Sequence, residues 1–275
     1  MKIQAIAFPF DLFGSAGTGA GALLLADALR ELLADAKRET RPARADTFRD
    51  KVRVKEFAFE TLAECEGWRK AARQAVRSAF KAGDRILWLA GNHLAALPAY
   101  EELGPNGLVV QLDAHLDIYN LADCTEELSH GNFLLHAEGP LPAIVNVGSR
   151  DLFLPAKHAK AHYREVLTAE DVACDPDKVV KRLAGLVRSA ERVWIDIDCD
   201  AFDPAYVPAV QHPQPLGLSP AFVLRVLSAI WSEKVIGVSL SEFDPGRDRG
   251  DQSLQTLVWL MEWCLLRWTE ASQAA

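Results

Sequence analysis

Short apolar runs recur along the chain, and stretches with helical spacing separate them. Runs at 2–8, 86–90, 108–112, 143–148, 193–198 and 235–240 predict strands, most of them covered on both faces. A weaker run at 52–58 predicts an edge strand. Apolar positions at helical spacing predict helices over about 22–36, 66–81, 156–163, 176–190, 220–231 and 251–271. Another helix is expected between His93 and Leu108, and a short helical run opens near Ser129. Strands and helices alternate throughout, which predicts one α/β domain, 1–275, with a mostly parallel sheet.

The polar residues that close these runs are unusual. Leu108–Leu112 leads into Asp113, His115 and Asp117 at alternate positions. If the chain stays extended there, strand period puts all three on one face, where they could hold a divalent cation. The same residues could instead cap a helix and leave His115 exposed. The run at 193–198 brings Asp196, Asp198 and Asp200 to one face by the same period. Three carboxylates together repel, and burying them unpaired costs roughly several kcal/mol each. A cation removes that problem, and two acidic strand ends suggest two cations that share carboxylates. Gly91-Asn92-His93, Ser149-Arg150-Asp151 and Ser241-Glu242 follow three further strands. Ligands of open α/β sheets bind beyond the carboxyl ends of the strands, so these ends read as one site. The stretch Gly14–Gly21 reads as a flexible loop entering a helix. It lacks the lysine and the acid that a phosphate or dinucleotide loop requires.

Composition narrows the class. The chain has 275 residues, 49% hydrophobic and 25% charged, enough for an ample core. A net charge of −8 argues against a nucleic-acid partner or a membrane surface. No apolar run reaches the roughly 18 residues of a spanning helix. The first residues are too strand-like for a signal peptide. Cys65, Cys124, Cys174, Cys199 and Cys264 are scattered and odd in number. They fit thiols in a reducing cytosol, not a disulfide framework.

Taken in order, the polar clusters resemble the marks of the arginase–agmatinase (ureohydrolase) superfamily. They are Gly91-Asn-His93, Asp113-Ala-His115-Leu-Asp117, His130-Gly131, Gly148-Ser-Arg150-Asp151, Asp198-Cys-Asp200-Ala-Phe-Asp203-Pro204 and Glu242-Phe-Asp-Pro245. Each is weak alone; together they run from about 90 to 250. The resemblance implies the arginase-like three-layer α/β/α fold and a dinuclear manganese hydrolase. Such an enzyme cleaves a guanidino C–N bond to give urea and an amine. Six ligands are implied: His93, Asp113, His115, Asp117, Asp198 and Asp200. His93, Asp113, Asp117 and Asp200 are expected on one ion or bridging, and His115 and Asp198 with the bridging carboxylates on the other. Four carboxylates and two imidazoles suit manganese, though zinc, iron or cobalt could bind. Two cations can lower the pKa of a shared water from about 15.7 to about 7, and hydroxide then attacks the guanidinium carbon.

The resemblance also gives His130 the role of proton carrier to the leaving amine. Glu242 would grip the guanidinium, which a carboxylate pairs bidentately. A capping His130 and a solvated Glu242 are the plainer alternatives. Asp196 stands where the family often has a small or hydroxyl residue; it either supports a ligand histidine or sits protonated in the core. Asp203 is a turn former or a similar support. Arg150 and Asp151 are read as positioning their loop, and Cys199 as core packing. Asn92 replaces an aspartate common beside the first histidine.

Departures cluster where the family reads the tail of its substrate. Val210-Gln211-His212-Pro213 takes the place of Thr-Gly-Thr-Pro, which makes His212 a candidate substrate contact. Phe153 stands where arginases carry an acid for the α-amino group. Tyr119 or Asn120 fills the slot nearest the α-carboxylate contacts, and Asn120 is a further candidate. A site without partners for a charged amine does not favour free arginine. The expected substrate is a guanidino group on another tail. It could be an arginine side chain in a peptide, converted to ornithine as in peptide arginases. Agmatine, a guanidino acid or formimidoylglutamate are the alternatives. A one-zinc, deacetylase-like hydrolase would want a His-His pair, which is missing. A metal-binding homologue without turnover would not need His130 and Glu242. The oligomeric state stays open, a homo-oligomer included.

Overall fold

The computed structural model describes residues 1–271, so the last four residues of the expected domain lie outside the described residues. Strands β1 (Ile3–Phe8), β2 (Val52–Glu56), β3 (Arg85–Ala90) and β4 (Gly107–Leu112) come from the first half of the chain. Strands β5 (Ala143–Val147), β6 (Glu165–Leu167), β7 (Arg192–Asp198) and β8 (Val235–Ser241) come from the second. They form one sheet in the order β2-β1-β3-β8-β7-β4-β5-β6, and every pairing is parallel.

Helices cover both faces, as a parallel sheet requires. Strand alternation sends Ala5, Leu87, Val110 and Ile195 towards one core, which is completed by α1 (Thr18–Arg38), α7 (Pro176–Ser189), α8 (Pro220–Ile230) and α9 (Gln252–Ala271). The intervening residues Ile6, Trp88, Val109 and Trp194 pack on the other face against α3 (Trp68–Ala82), α4 (Leu97–Leu103) and α5 (Ala156–His162). The expected three layers follow. Arg73 and Arg77 of α3 both reach Glu102 of α4, with Arg73 Nε 2.9 Å from Glu102 Oε1. That pairing ties α4, which carries Tyr100, to α3 on this face of the sheet.

Several element boundaries differ from expectation. The helix expected over 66–81 is α3, and a short α2 (Leu62–Glu66) that was not expected precedes it across Gly67. The short β6 and α6 (Ala169–Cys174) carry too few residues to show a period. Helix α1 starts at Thr18, four residues early, because Asp11 Oδ2 accepts from Gly17 N at 2.8 Å and Gly19 N at 3.2 Å. The protein's own carboxylate therefore occupies the amides that a phosphate would need. Gly21 is required by packing: a Cβ there would lie 1.9 Å from the Phe243 carbonyl oxygen.

Candidate metal centre

The sheet order decides where the site forms. β3, β8, β7 and β4 are consecutive neighbours, and their carboxyl ends deliver His93, Glu242, Asp198 with Asp200, and Asp113 with His115 and Asp117. Strand period accounts for only part of this. β7 ends at Asp198, and Asp200 arrives through a 3-10 turn in which Asp198 Oδ1 accepts from Asp200 N at 2.8 Å. β4 likewise ends at Leu112; Asp113 Oδ1 accepts from His115 N at 2.7 Å and turns the chain. Asp117 sits at φ 49°, in the left-handed region. The expected extended alternation holds from Asp196 to Asp198, but across 113–117 and from Asp198 to Asp200 it is replaced by two carboxylate-nucleated turns.

Two ligand clusters result, and they share Asp113. In the first, His93 Nδ1 lies 2.7 Å from Asp117 Oδ2, 3.1 Å from Asp198 Oδ2 and 3.3 Å from Asp113 Oδ2. In the second, His115 Nδ1 lies 2.9 Å from Asp200 Oδ2 and 3.9 Å from Asp113 Oδ1. The donor atoms of His93, Asp113 and Asp198 fall within 4.8 Å of one another, as do those of Asp113, His115 and Asp200. This reverses the expected grouping of the last two acids: Asp198 goes with His93 and Asp200 with His115. The turn at Cys199 rotates Asp200 away from the first cluster and towards β4, where Asp200 Oδ1 also accepts from Ala114 N at 3.3 Å.

The donor set fits divalent cations. His93 Nδ1, Asp113 Oδ2 and Asp117 Oδ2 are buried and have no hydrogen-bond partner. Three such orphans facing one point are costly unless a cation satisfies them. Burial and the neighbouring Asp117 push the Asp113 carboxyl up to about 7. Burial and Asp200 push Asp198 well above the usual carboxylate range. The crowded acids resist ionising together, and a cation relieves that resistance.

Asp196 is settled by its contacts. Its Oδ2 lies 2.5 Å from His93 Nε2 and accepts from Tyr100 Oη at 2.5 Å, while Oδ1 accepts from Ser239 Oγ. Burial opposes its charge, but His93, Ser239 and Tyr100 outweigh burial and hold the carboxyl below its ordinary value. The protonated alternative does not hold. Asp196 accepts the hydrogen bond of Nε2–H, which keeps the ring proton there and leaves the Nδ1 lone pair for a cation. Asp196→Asn is expected to weaken one of the two ions about 10–100-fold, read by chelator competition. Tyr100 and Ser239 carried no sequence signal, because each meets Asp196 only after α4 and β8 pack beside β7.

The open side of the site is small. A cavity of about 200 Å³ is lined by the ligands together with Tyr119, His130, Gly131, His212 and Glu242. Glu242 sits at φ 63°, and its Oε1 accepts from His93 N at 2.8 Å and lies 3.2 Å from His130 Nδ1. Such strain persists where the surroundings over-determine it, often at functional sites. Burial opposes the charged imidazole of His130, but the hydrogen bond and charge of Glu242 outweigh it and raise His130 above its ordinary pKa. Ser15 Oγ, 3.4 Å from His130 Nδ1, was not legible in the sequence.

His212 lies at the cavity edge, its ring centroid 5.7 Å from that of His130. Asn120 does not line the cavity: it is exposed, and Tyr119 takes the place expected for it. Tyr119 N donates to Gly131 O, which turns its side chain inward past Asn120. Arg150 donates to the carbonyls of Gly148, Asp200 and Ala201, so it braces the β7 turn. Asp151 accepts from Phe153 N and Leu154 N and shapes its own loop. Asp203 accepts from Ala205 N and Gly217 N, which makes it the clasp of the proline-rich loop. Cys199 is fully buried in the core, as expected.

Over 179 residues the chain is 32% identical to arginase 1, mitochondrial, of Arabidopsis thaliana, covering 61% of this chain and 50% of that protein. It thus spans about half the length of that relative. Over 207 residues it is 30% identical to the N(omega)-hydroxy-L-arginine amidinohydrolase of Streptomyces lavendulae, covering 68% of this chain and 72% of that one. A solved structure described as a hypothetical agmatinase from Burkholderia thailandensis has a TM-score of 0.82 at 21% identity, covering 100% of this chain and 88% of that one. With the arginase family profile matching residues 1–266, the chain belongs to the arginase family.

Proposed function

We propose that the protein is a metal-dependent amidinohydrolase that cleaves a guanidino C–N bond to release urea and an amine. The observation that carries this reading is the meeting of two clusters sharing Asp113 with the Glu242–His130 pair in one small cavity. His93, Asp113, Asp117 and Asp198 would hold one ion; His115, Asp200 and Asp113 would hold the other. The carboxylate-rich set favours manganese. When bound, the two ions supply a water acidified enough to attack at neutral pH. Glu242 draws the guanidinium into the cavity and orients its carbon. Its Oε1 is already braced by His93 N, so the carboxylate need not reorganise as the substrate enters. His130, charged and held through Nδ1 by Glu242, gives a proton to the departing nitrogen from its other ring nitrogen. The five cysteines are unpaired, which suits a reducing cytosol.

The tail of the substrate is the finer part of the reading. No Lys or Arg lines the cavity among the described residues, so a free α-carboxylate finds no cation there. Phe153, where an acid for the α-amino group would stand, is 82% exposed. A guanidino group carried by an uncharged body fits better, and an arginine side chain within a peptide meets that description. The test is urea release by manganese-loaded protein from free arginine, agmatine, guanidinobutyrate, formimidoylglutamate and N- and C-blocked arginine. Blocked arginine is expected to exceed free arginine in kcat/KM; a strong preference for free arginine would exclude this tail.

His130→Asn is expected to lower kcat about 10²–10⁴-fold. In the wild type, kcat should fall as pH rises through the raised pKa of His130, because only the protonated ring can donate. The variant should lack that alkaline limb, as a pH–rate profile would show.

A further inference from the structure

The two ligand histidines are supported differently. His93 Nε2 faces the buried carboxylate of Asp196, which can only accept. His115 Nε2 faces the side-chain amide nitrogen of Gln214, 2.7 Å away, on the loop that follows β7. Pro213 and Pro215 flank Gln214, fixing φ on either side of it and restricting its own backbone. The base of the loop is closed by Asp203 N donating to Leu218 O at 3.0 Å and Gly217 N donating to Asp203 Oδ2 at 3.0 Å. A stiff, clasped loop therefore presents one half-buried amide to one ring nitrogen.

We infer that Gln214 is a positioning residue: it fixes the tautomer of His115 and so sets how tightly the second cluster holds its ion. The inference rests on the two-ion reading above. Nδ1 faces Asp113 and Asp200, so Nδ1 must offer its lone pair if His115 is a ligand. The ring proton then resides on Nε2 and needs an acceptor. The Gln214 amide oxygen supplies that acceptor by a half-turn about the last side-chain bond, with no movement of the backbone. An amide accepts less strongly than a carboxylate, so the two ions are held unequally, the one at His115 less tightly.

Manganese titration of the metal-freed protein, read by calorimetry and by bound metal after dialysis, tests this with Gln214→Leu and Gln214→Glu. The wild type should bind two ions. Gln214→Leu fills much of the same space but removes the acceptor; one ion should weaken about 10–100-fold while the other is unchanged. Gln214→Glu, an obligate acceptor, should restore or exceed wild-type affinity. Circular dichroism establishes that both variants fold. Two ions held by Gln214→Leu as tightly as by the wild type would overturn the role of Gln214 and leave the two-ion reading standing. Equal weakening in Gln214→Glu would also overturn it, since any change of shape would then suffice. A wild type that binds fewer than two ions at saturation would remove the two-ion reading and this inference with it.

Discussion

Asp113→Asn is expected to lose ions from both clusters and to cut urea release by on the order of 10³-fold. Asp113 is the one residue common to the two clusters: Oδ2 faces His93 and Oδ1 faces His115. An amide puts a neutral oxygen and an N–H₂ where two anionic oxygens stood, and the N–H₂ cannot bind a cation. Losing a shared carboxylate removes several kcal/mol of charge stabilisation, about tenfold in rate per 1.4 kcal/mol. The loss should not be one of folding. Burial and Asp117 raise the Asp113 carboxyl to about 7. For a raised acid, the stabilising protonated form is fully present below the unfolded pKa of about 3.9, and its contribution is lost as pH rises through about 7. Asparagine mimics that neutral form, so the metal-free variant should melt no lower than the metal-free wild type above pH 7. By the same linkage, ion binding to the wild type should release protons and weaken as pH falls through about 7. Metal content, urea assay and thermal melts decide the matter; two ions retained with normal turnover would exclude the shared-carboxylate site.

Glu242→Gln separates grip from metal. Glu242 belongs to neither cluster, so the variant should keep both ions. It should lose about 3–5 kcal/mol of hold on a buried guanidinium, on the order of 10²–10³ or more in kcat/KM. Burial otherwise opposes the His130 charge, and Glu242 is what outweighs burial. Removing that carboxylate should move the alkaline limb of the pH–rate profile to lower pH. Unchanged kcat/KM with full metal content would mean that Glu242 does not touch the substrate.

Much of the architecture was legible locally. The alternation of apolar strands and amphipathic helices is written in periods of two and 3.6, which need no knowledge of distant residues. The run Leu108–Leu112 ending in Asp113 and the run Val193–Ile197 ending in Asp198 showed where ligands gather, because an acid closing a buried strand demands a partner. Local pattern misled where a side chain redirected its own backbone. Asp113 and Asp198 each end their strand by accepting the amide two residues on, so the period that should have carried His115, Asp117 and Asp200 no longer applied. Asp11 acts from further away, accepting from Gly17 N and Gly19 N at the start of α1, where a loop was expected.

By itself, then, the sequence determined the class of fold, the residues that could bind cations and the ends of the chain segments that carry them. All of these depend on near neighbours. Only the tertiary structure decided which residues meet. The insertion of β7 and β8 between β3 and β4 brings Asp196 to His93 and sets Tyr100 and Ser239 around it. The clasped loop after β7 brings Gln214 to His115. Contacts of this kind arise from strand order and loop closure, which are properties of the whole packed sheet and leave no period along the chain.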